Sequence, residues 1–418
     1  MNSDKTSSAA CTAAASPVNT MLFLASLLFA LPGCMPGTVK PTGSAAALPH
    51  KVVDRRRFSG VPAPEAVFQA GLPRNAVDAN TMVAHFIDVG QGDAALLEFS
   101  CGVVLIDTGG EKTDEVSGRE NLKAYLNAFF QTHSRPAWTL DLVVLSHPHI
   151  DHTDGVAGLF ELQPSITIRN VVDNGETKTG SGISGQKQLQ KYAADNGANY
   201  QGIVEADIKT TAGLTNRTID PVDCRSDGGI DPKITALWGH VDSSVSWSKN
   251  ANNDSVVLRV DFGKASFLFT GDLEEEAINA MLQSYADDLS LLDVDVLKVD
   301  HHGSKNGMTP DFVNAITPKI AVIQAGDSTL SHATFSAYSY GHPNRQSIQE
   351  LLAAPSGVSM SRPSARVRVG LSGRNPGTNA PPRFTQMTID KAIYSNAWDG
   401  NIAITATKDG QYTVETGF

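Results

Sequence analysis

Hydrophobic and polar positions begin to follow a regular pattern at about residue 81. Three apolar stretches follow one another closely over 82–89, 94–99 and 103–107, and Gly-Gln-Gly at 90–92 separates the first two. Short apolar runs bounded by turn residues are typical of buried strands. The pattern therefore predicts three strands in close succession, followed by a helix over 121–131.

The next apolar run, Leu140–Leu145, is interrupted only by Asp141 and has the length of a strand that is covered on both faces. Further strands are predicted over 166–172, 255–261, 266–270, 294–299, 320–324, 393–395, 402–406 and 412–415, and helices over 186–194, 274–284, 310–316 and 345–353. Strands with helices interspersed indicate sheets flanked by helices. The polar, glycine-rich region 173–250 is expected to be an insert rather than part of the core.

The amino-terminal region has the features of a targeting segment. Residues 21–31 form an apolar run broken only by Ser26, and this run is shorter than the roughly 20 residues that span a bilayer. It fits a secretory signal, and it ends in Leu-Pro-Gly-Cys34, which resembles a bacterial lipoprotein cleavage box. We therefore expect a signal peptide over 1–33, a tether and lead-in over 34–80, and an exported, periplasmic or membrane-anchored bacterial lipoprotein that carries lipid on Cys34.

Two alternatives stay open in this region. The signal could be uncleaved, or cleaved in the ordinary way without lipidation. In an exported chain Cys101 and Cys224 could form a disulfide, and two buried free thiols would fit the sequence equally well.

The composition allows a sizeable core, because 41% of the 418 residues are hydrophobic and 18% are charged. The formal net charge of −11 argues against a broad nucleic-acid-binding face. One region departs from this balance, since 351–389 contains no acidic residue but five arginines, at positions 362, 366, 368, 374 and 383. This local positive charge could steer an anionic or phosphate-bearing substrate, and a solvated loop explains it at least as well.

The strongest chemical signal follows the predicted strand at 140–145, which runs directly into Ser-His147-Pro-His149-Ile-Asp151-His152. Packing does not require three imidazoles and a carboxylate in six residues, and charged imidazoles this close would repel one another. A divalent metal resolves the conflict, because neutral imidazole and carboxylate are ligands of zinc, manganese and iron. His147 and His149 can face the same side of an extended chain, while Asp151 and His152 can serve a second ion.

The sequence H-x-H-x-D-H after an apolar strand resembles the signature of the metallo-β-lactamase fold superfamily. Its companion motifs occur in the expected order, namely Asp107-Thr-Gly-Gly, Thr-Gly-Asp272, His301-His302-Gly-Ser and Gly-His342-Pro. The segments 85–94 and 253–260 add a similarity to the hydrolase domain of the ComEC/Rec2 competence group, over roughly residues 81–350.

This resemblance implies an α/β fold, an αββα sandwich of the metallo-β-lactamase type, formed by a hydrolase domain over 81–418. Its C-terminal strands are expected to complete the second sheet. It also implies two divalent metal ions, zinc by preference with manganese or iron as alternatives. Asp272 would bridge them, and Asp107 would support the metal loop from behind.

One feature departs from the family pattern. Many members carry a histidine in a Gly-His-Thr stretch before the bridging aspartate, and here 250–255 reads Asn-Ala-Asn-Asn-Asp-Ser. The last ligand of the first ion must then come from His302 or His342, or one metal site is weak. Because adjacent residues on an extended chain point apart, only one of His301 and His302 is expected to ligate, and the other would donate a proton or hold substrate.

The candidate ligands and catalytic residues follow from these motifs and leave open which of the later histidines ligate. The metal ligands are expected among His147, His149, Asp151, His152, Asp272, His302 and His342, with Asp107 and Asn253 as supporting residues and Asp151 and His301 as catalytic residues.

The predicted function is a metal-dependent hydrolase that uses a metal-activated hydroxide on a phosphodiester or phosphoester. The substrate would be an anionic small molecule or polymer, and a lipid on Cys34 would make the membrane a further partner. One alternative is a β-lactamase or lactonase on the same fold, although the absent histidine counts against a β-lactamase. Another is a non-catalytic lipoprotein for DNA uptake or envelope binding, which would be expected to have lost its metal motifs.

Overall fold

Buried apolar strands form two mixed β-sheets that pack face to face. The computed structural model describes residues 50–52, 77–133, 138–176, 178–209, 213–241, 244–375 and 380–417, all of which lie in one compact unit. The predicted signal peptide and Cys34 lie outside these residues, so export and lipidation stay predictions. Among the helices described, none combines the length and the apolar character that crossing a membrane requires.

In the part of the chain that the structure describes, the first sheet has nine strands, and its central strands are buried on both faces. In spatial order the strands are β1 (His50–Val52), β19 (Tyr412–Thr416), β18 (Ile402–Thr407), β2 (Thr81–Phe86), β3 (Ala95–Glu98), β4 (Val103–Ile106), β6 (Leu142–Val144), β8 (Asn170–Asp173) and β9 (Asn199–Gly202). Neighbouring residues face opposite layers, because Leu97 joins the core between the sheets and Leu96 joins the core under the helices. This double burial explains the continuous apolar runs in the sequence.

Among the described residues, the second sheet has six strands, and two further pairs of strands stand apart from both sheets. Its order is β10 (Lys233–Trp238), β11 (Val257–Phe262), β12 (Ala265–Phe269), β13 (Val296–Lys298), β14 (Ile320–Ile323) and β17 (Ile393–Ser395). The separate pairs are β5 (Thr139–Leu140) with β7 (Thr167–Ile168), and β15 (Ser361–Ser372) with β16 (Arg383–Lys391). Phe86 of the first sheet stacks on Phe269 of the second, with ring centroids 6.0 Å apart.

Helices cover the outer face of each sheet. They are α1 (Gly118–Thr132), α2 (Ile150–Thr153), α3 (Val156–Phe160), α4 (Ile183–Asn196), α5 (Glu205–Lys209), α6 (Glu275–Ser284), α7 (Pro310–Ile316), α8 (Ala337–Tyr340), α9 (Arg345–Ala353) and α10 (Asn396–Asp399). Apolar residues of α1, α3 and α4 are buried against the first sheet, and those of α6, α7 and α9 belong to the same core as the second sheet. The prediction of an αββα sandwich in the α/β class is confirmed.

The expectation that 173–250 lies outside the core is wrong for three of its elements. Helix α4 buries Leu189 against the first sheet, β9 forms the edge of that sheet, and β10 forms the edge of the second sheet with Trp238 fully buried. The sequence did not predict β9 because the residues of this strand are polar. An edge strand can be polar, since most of its side chains stay in contact with water.

The C-terminal strands are divided between the sheets instead of all completing the second one. Strand β17 pairs with β14 in the second sheet, whereas β18 pairs with β2 and β19 in the first. An apolar alternating pattern predicts a strand but does not state which neighbour it pairs with.

Two further features of the sequence are resolved by the fold. The arginine-rich region is not a loop, because four of its five arginines lie on the strands of the β15–β16 ribbon. Cys101, in the turn between β3 and β4, forms a disulfide with Cys224, which lies 123 residues further along the chain.

Candidate metal centre

The motif residues converge because they follow strands that end at the same edge of the two sheets. Strand β4 leads into Asp107 and the parallel strand β6 into the segment 146–152. In the second sheet, the parallel strands β12 and β13 lead into Asp272 and the His301–His302 pair. In α/β proteins, functional sites lie at the carboxyl ends of parallel strands. Here the carboxyl ends of the parallel strands in both sheets lie next to one another, so residues from the two sheets meet in one site.

Asp107 orients His152 from behind the centre. The Nδ1 atom of His152 donates a hydrogen bond of 2.8 Å to Oδ2 of Asp107. Ser146 donates to the same carboxylate twice, from its backbone N–H at 2.7 Å and from its Oγ at 2.8 Å. This arrangement fixes the ring so that Nε2 of His152 points at Asp272, and a partner on the far nitrogen is typical of histidines that bind metal.

One oxygen of Asp272 lies at the middle of the cluster. Its Oδ2 atom is 3.2 Å from Nε2 of both His152 and His302, and 3.9 Å from Nε2 of both His147 and His301. Burial raises the pKa of Asp272, but the surrounding histidines, His152 first among them, reverse this and lower it well below its usual value. A carboxylate held among four imidazoles is suited to bridging two cations.

His147 and His149 form a contiguous pair of donors. His147 Nε2 lies 3.0 Å from His149 Nδ1. On its other nitrogen, His147 is contacted by the hydroxyls of Ser146 at 3.1 Å and Ser255 at 3.2 Å. Ser255 Oγ also accepts the backbone N–H of Asp272 at 3.0 Å, so a single serine positions both residues.

Both His301 and His302 turn toward the centre. Their φ angles of 46° and 53° place them in the left-handed region, so the expectation that they point apart as on an extended chain is wrong. His302 is buried, donates through Nδ1 to the Gln324 carbonyl at 2.8 Å, and has Nε2 3.2 Å from Asp151 Oδ2. His301 keeps 21% of its side chain exposed and lies at the margin of the cluster.

His342 lies beside the cluster and outside its tightest part. The donor atoms of Asp151, His152, Asp272 and His302 all lie within 4.8 Å of one another. The ring centroid of His342 is 6.1 Å from that of His302, and its Nδ1 accepts a hydrogen bond of 3.3 Å from Gln91 Nε2.

The donor set fits a divalent cation. Within the described residues, His152 Nε2 and Asp272 Oδ1 are buried without a hydrogen-bond partner. Burial alone would lower the pKa values of His152 and His302, yet the carboxylates around them, Asp272 first, raise both well above the usual value. The cluster therefore attracts positive charge, and imidazole with carboxylate is a ligand set for a transition-metal ion. The centre is compatible with a dinuclear metal site.

A small cavity opens onto these residues. Its volume is about 220 Å³, and it is lined by Gln91, His149, Asp151, Ser181, Asn252, Asp272, His301, His302, Phe335, Tyr340 and His342. Candidate ligands thus line this cavity together with two aromatic residues, Phe335 and Tyr340. A substrate group in this cavity would contact the donors directly.

Asn252 lies where the family histidine is absent. It belongs to a 3₁₀ helix, Ala251–Asp254, and its Nδ2 donates to Glu274 Oε1 at 2.7 Å and lies 3.5 Å from His301 Nε2. Its neighbour Asn253, predicted as a supporting residue, contacts the backbones of Trp247 and Glu274 at 3.2 and 3.1 Å. Asn253 therefore holds this loop in place and is not among the residues that line the cavity.

Sequence reasoning missed four residues of this centre: Asp93, Ser255, Asn252 and Lys298. Lys298 is 2% exposed, and its ammonium contacts the carboxylate of Asp93. One signal was available, because a lysine inside the apolar run 294–299 needs a buried partner. The partner itself lies about two hundred residues away in sequence, and the strand pattern does not identify it.

This fold and this cluster define a class of protein. Residues 87–327, more than half of the chain, match the model of the metallo-beta-lactamase superfamily, and the chain belongs to that superfamily. The chain is 28% identical over 278 residues to ComE operon protein 3 of Bacillus subtilis, which covers 63% of this chain and 30% of that protein. It is 25% identical over 245 residues to Recombination protein 2 of Haemophilus influenzae, covering 57% and 24%.

These relatives confirm the predicted resemblance to the ComEC/Rec2 hydrolase domain. The alignments span less than a third of either relative's own length. Among solved structures, the chain is similar to the metallo-beta-lactamase fold protein YhfI of Bacillus subtilis, with 14% identity, a TM-score of 0.34, and coverage of 58% of this chain and 85% of that one.

Proposed function

We propose that the chain is a metal-dependent hydrolase of phosphodiester or phosphoester bonds. The observation that carries the proposal is the position of Asp272 Oδ2 within 3.9 Å of four imidazole nitrogens. Among the described residues, the buried atoms His152 Nε2 and Asp272 Oδ1 have no hydrogen-bond partner and are available to a metal ion. The resemblance to the ComEC/Rec2 hydrolase domain supports a phosphoester over a lactam, as does the asparagine in place of the family histidine.

Two ions would share Asp272. His147 and His149 would hold one, and Asp151, His152 and His302 would hold the other, with zinc as the expected metal and manganese or iron as alternatives. Bound divalent ions lower the pKa of water toward about 7 and stabilise negative charge on the attacked group.

Asp151 and His301 are the residues placed to handle the water and its proton. Burial would raise the pKa of Asp151, but the hydrogen bond from His302 and the nearby histidine charges lower it to about 2, so its carboxylate is ionised and accepts a hydrogen bond from water. Burial lowers the pKa of His301 in spite of Asp272, which leaves this imidazole neutral.

The neutral ring can take a proton from the attacking water at Nε2 and pass it to the leaving oxygen. The water oxygen forms a bond to phosphorus as the phosphorus–oxygen ester bond breaks, and the transferred proton neutralises the alkoxide. Glu274 Oε1, which lies 3.4 Å from Nδ1 of His301, helps to orient the ring through this transfer.

The proposed substrate is an anionic ester outside the cytoplasm. This location follows from the predicted signal over 1–33 and the predicted lipid anchor on Cys34. Lipid head-group, cell-wall and extracellular nucleic-acid esters all meet this description.

Metal analysis and a substrate panel on the purified chain test the proposal. We expect about two bound ions per chain and hydrolysis of bis(p-nitrophenyl) phosphate but not of nitrocefin. Asp272→Asn should lower both metal content and hydrolysis while circular dichroism stays unchanged. Hydrolysis of nitrocefin alone would assign a lactamase, and a metal-free chain that cannot be reconstituted would assign a non-catalytic binding role.

A further inference from the structure

His342 lies on the wall of the cavity and stands apart from the ligand cluster. His301 and His302 each bring Nε2 within 3.9 Å of Asp272 Oδ2. In the part of the chain that the structure describes, His342 forms no ion pair with a carboxylate. The tight group of four donors is complete without it. The ring of His342 is therefore available for a role other than binding metal.

One nitrogen of the His342 ring is occupied by a neighbouring amide. Nδ1 accepts a hydrogen bond of 3.3 Å from Nε2 of Gln91. A neutral imidazole carries one proton, so a ring that accepts at Nδ1 has its proton on Nε2. A charged ring would instead turn an N–H toward the N–H groups of the amide. The hydrogen bond therefore selects the neutral form in which Nε2 is a donor and has no lone pair for a metal ion.

The Gly-Gln-Gly turn holds the amide of Gln91 in place. Gly92 has a φ of 152°, and a Cβ atom at this position would lie 2.5 Å from the carbonyl oxygen of Asp151, so only glycine fits. The backbone N–H of Gln91 donates to Glu111 Oε2 at 2.6 Å. The side chain of Gln91 is 1% exposed, so packing restricts the amide that faces His342.

The ring of His342 is held just as closely. Its backbone N–H donates to the Ala337 carbonyl at 3.0 Å. The ring stacks on Tyr340 with centroids 5.6 Å apart and lies at a steep angle to the ring of His301, with centroids 5.9 Å apart. A donor that is fixed before the substrate arrives requires no reorganisation during the reaction, and such donors stabilise developing charge most effectively.

Two polar atoms on this wall indicate that a ligand belongs here. Among the described residues, neither His342 Nε2 nor the buried Oε1 of Gln91 has a hydrogen-bond partner. Buried polar atoms are normally paired, and both residues line the cavity. No lysine or arginine is found among the described residues that line it, so neutral side chains are the donors that the protein offers to an anion. A phosphoryl oxygen is an acceptor that Nε2–H can serve.

We propose that His342 is a neutral hydrogen-bond donor to the substrate rather than a metal ligand, and that Gln91 is the positioning residue that keeps the proton on Nε2. This inference rests on the proposed phosphoester hydrolase function and adds a substrate-binding residue outside the ligand set. The Nε2–H group would donate to a non-bridging phosphoryl oxygen, where negative charge increases as water attacks. His301 would handle the proton of that water.

Metal content distinguishes a donor from a ligand. The full chain is loaded with zinc, freed of excess metal by gel filtration, and its bound zinc is measured. His342→Phe keeps a flat ring beside Tyr340 but removes both nitrogens, and it should retain as much zinc as the unaltered chain. The matched control His302→Phe removes a member of the cluster and should bind less zinc. An equal loss of zinc in the two variants would overturn the proposal.

The position of the ring proton can be observed directly. In a zinc-loaded chain with isotopically labelled histidine, a long-range proton–nitrogen correlation spectrum distinguishes protonated from unprotonated ring nitrogens. The signals of His342 are those absent from His342→Phe. We expect Nε2 to be protonated and Nδ1 unprotonated, and Gln91→Leu, which lacks the amide, to populate both neutral tautomers. A proton on Nδ1 in the unaltered chain would leave Nε2 free to bind metal and would overturn the proposal.

Binding of inorganic phosphate tests the donor role separately from hydrolysis. Calorimetric titration of the zinc-loaded chains should show an affinity about 10–100-fold lower in His342→Phe, the loss typical of one hydrogen bond to a charged group. The control His332→Phe replaces an exposed histidine that does not line the cavity, and it should bind phosphate like the unaltered chain. Equal phosphate affinity in these two variants would overturn the donor role.

Hydrolysis of bis(p-nitrophenyl) phosphate completes the test. Removing one preorganised donor typically lowers kcat by about 100–1,000-fold, and His342→Phe should lose activity in this range while it keeps its zinc. Full activity in His342→Phe would overturn the proposal. If the unaltered chain cleaves no phosphoester, the proposed function fails, whereas zinc content, the ring proton and phosphate affinity still decide whether His342 is a donor or a ligand.

Discussion

The ammonium of Lys298 forms a buried ion pair with the carboxylate of Asp93, directly beneath the candidate metal centre. Both residues are almost fully buried. The same ammonium donates to the Gly271 carbonyl at 2.6 Å and lies 3.8 Å from Asp272 Oδ1. Lys298 thus places a fixed positive charge beside Oδ1 of Asp272. The other carboxylate oxygen of Asp272, Oδ2, faces the histidines.

Lys298→Met should destabilise the fold, because it leaves Asp93 buried without its partner. Breaking one half of a buried pair typically costs about 3–5 kcal/mol. Urea unfolding should show a loss in this range, and Asp93→Asn/Lys298→Met should recover at least half of it, since no unpaired charge then remains. Lys191→Met, in an exposed pair on α4, is the control and should change the free energy of unfolding little. A double variant no more stable than Lys298→Met would contradict this account.

Asp107→Asn should weaken metal binding without unfolding the chain. The amide keeps the shape of the carboxylate but loses the charge that holds His152 Nδ1 and Ser146. Loss of such a partner typically lowers metal affinity by about 10–100-fold. Competition with a chelator measures this, and Asp154→Asn, whose carboxylate pairs with Arg119 at 2.9 Å, should retain the unaltered affinity. Equal affinities in the two variants would show that Asp107 does not orient the metal loop.

Glu111 should make the protein less stable as pH rises toward neutrality. Burial is the main cause that raises its pKa from 4.5 to about 7. Between these values the folded chain keeps a proton that the unfolded chain releases. The contribution of protonated Glu111 to the free energy of unfolding is therefore fully present below pH 4.5 and is lost as the pH rises through 7.

Glu111→Gln removes this titration. The decrease in unfolding free energy between about pH 5 and 8 should be smaller in the variant by about 2–3 kcal/mol. Chemical denaturation at the two pH values measures it, with Glu276→Gln, at an exposed position on α6, as the charge-matched control. An unchanged pH dependence in Glu111→Gln would show that this carboxyl does not titrate as inferred.

Replacing both cysteines of the disulfide should affect stability and leave the metal centre intact. The Cys101–Cys224 bond closes a loop of 123 residues, and removing a native disulfide typically costs about 2–5 kcal/mol. Cys101 lies in the turn before β4, at the opposite end of that strand from Asp107. Cys101→Ser/Cys224→Ser should therefore unfold at lower urea concentration with unchanged metal content. Loss of bound metal at low denaturant would contradict this separation.

Local patterns in the sequence were sufficient for much of the fold. The helices Pro310–Ile316 and Arg345–Ala353 and the strand Ile393–Ser395 have the bounds that the sequence predicts. These elements can be predicted from the sequence because the spacing of their apolar residues and the residues that mark their ends lie within a few positions of one another. The metal motif is equally local, since its imidazoles and carboxylate lie within six residues after one strand.

The sequence by itself therefore determined the class of fold, the order of its main elements and the kind of chemistry at their ends. Only the tertiary structure decided that β18 joins the first sheet, that a polar region supplies β10, and that Lys298 meets Asp93. It also decided that His301 and His302 both turn inward, through left-handed backbone conformations. The physical reason is that strand pairing, burial of charge and strained backbone are stabilised by partners distant in sequence, and a local pattern carries no information about which partners those are.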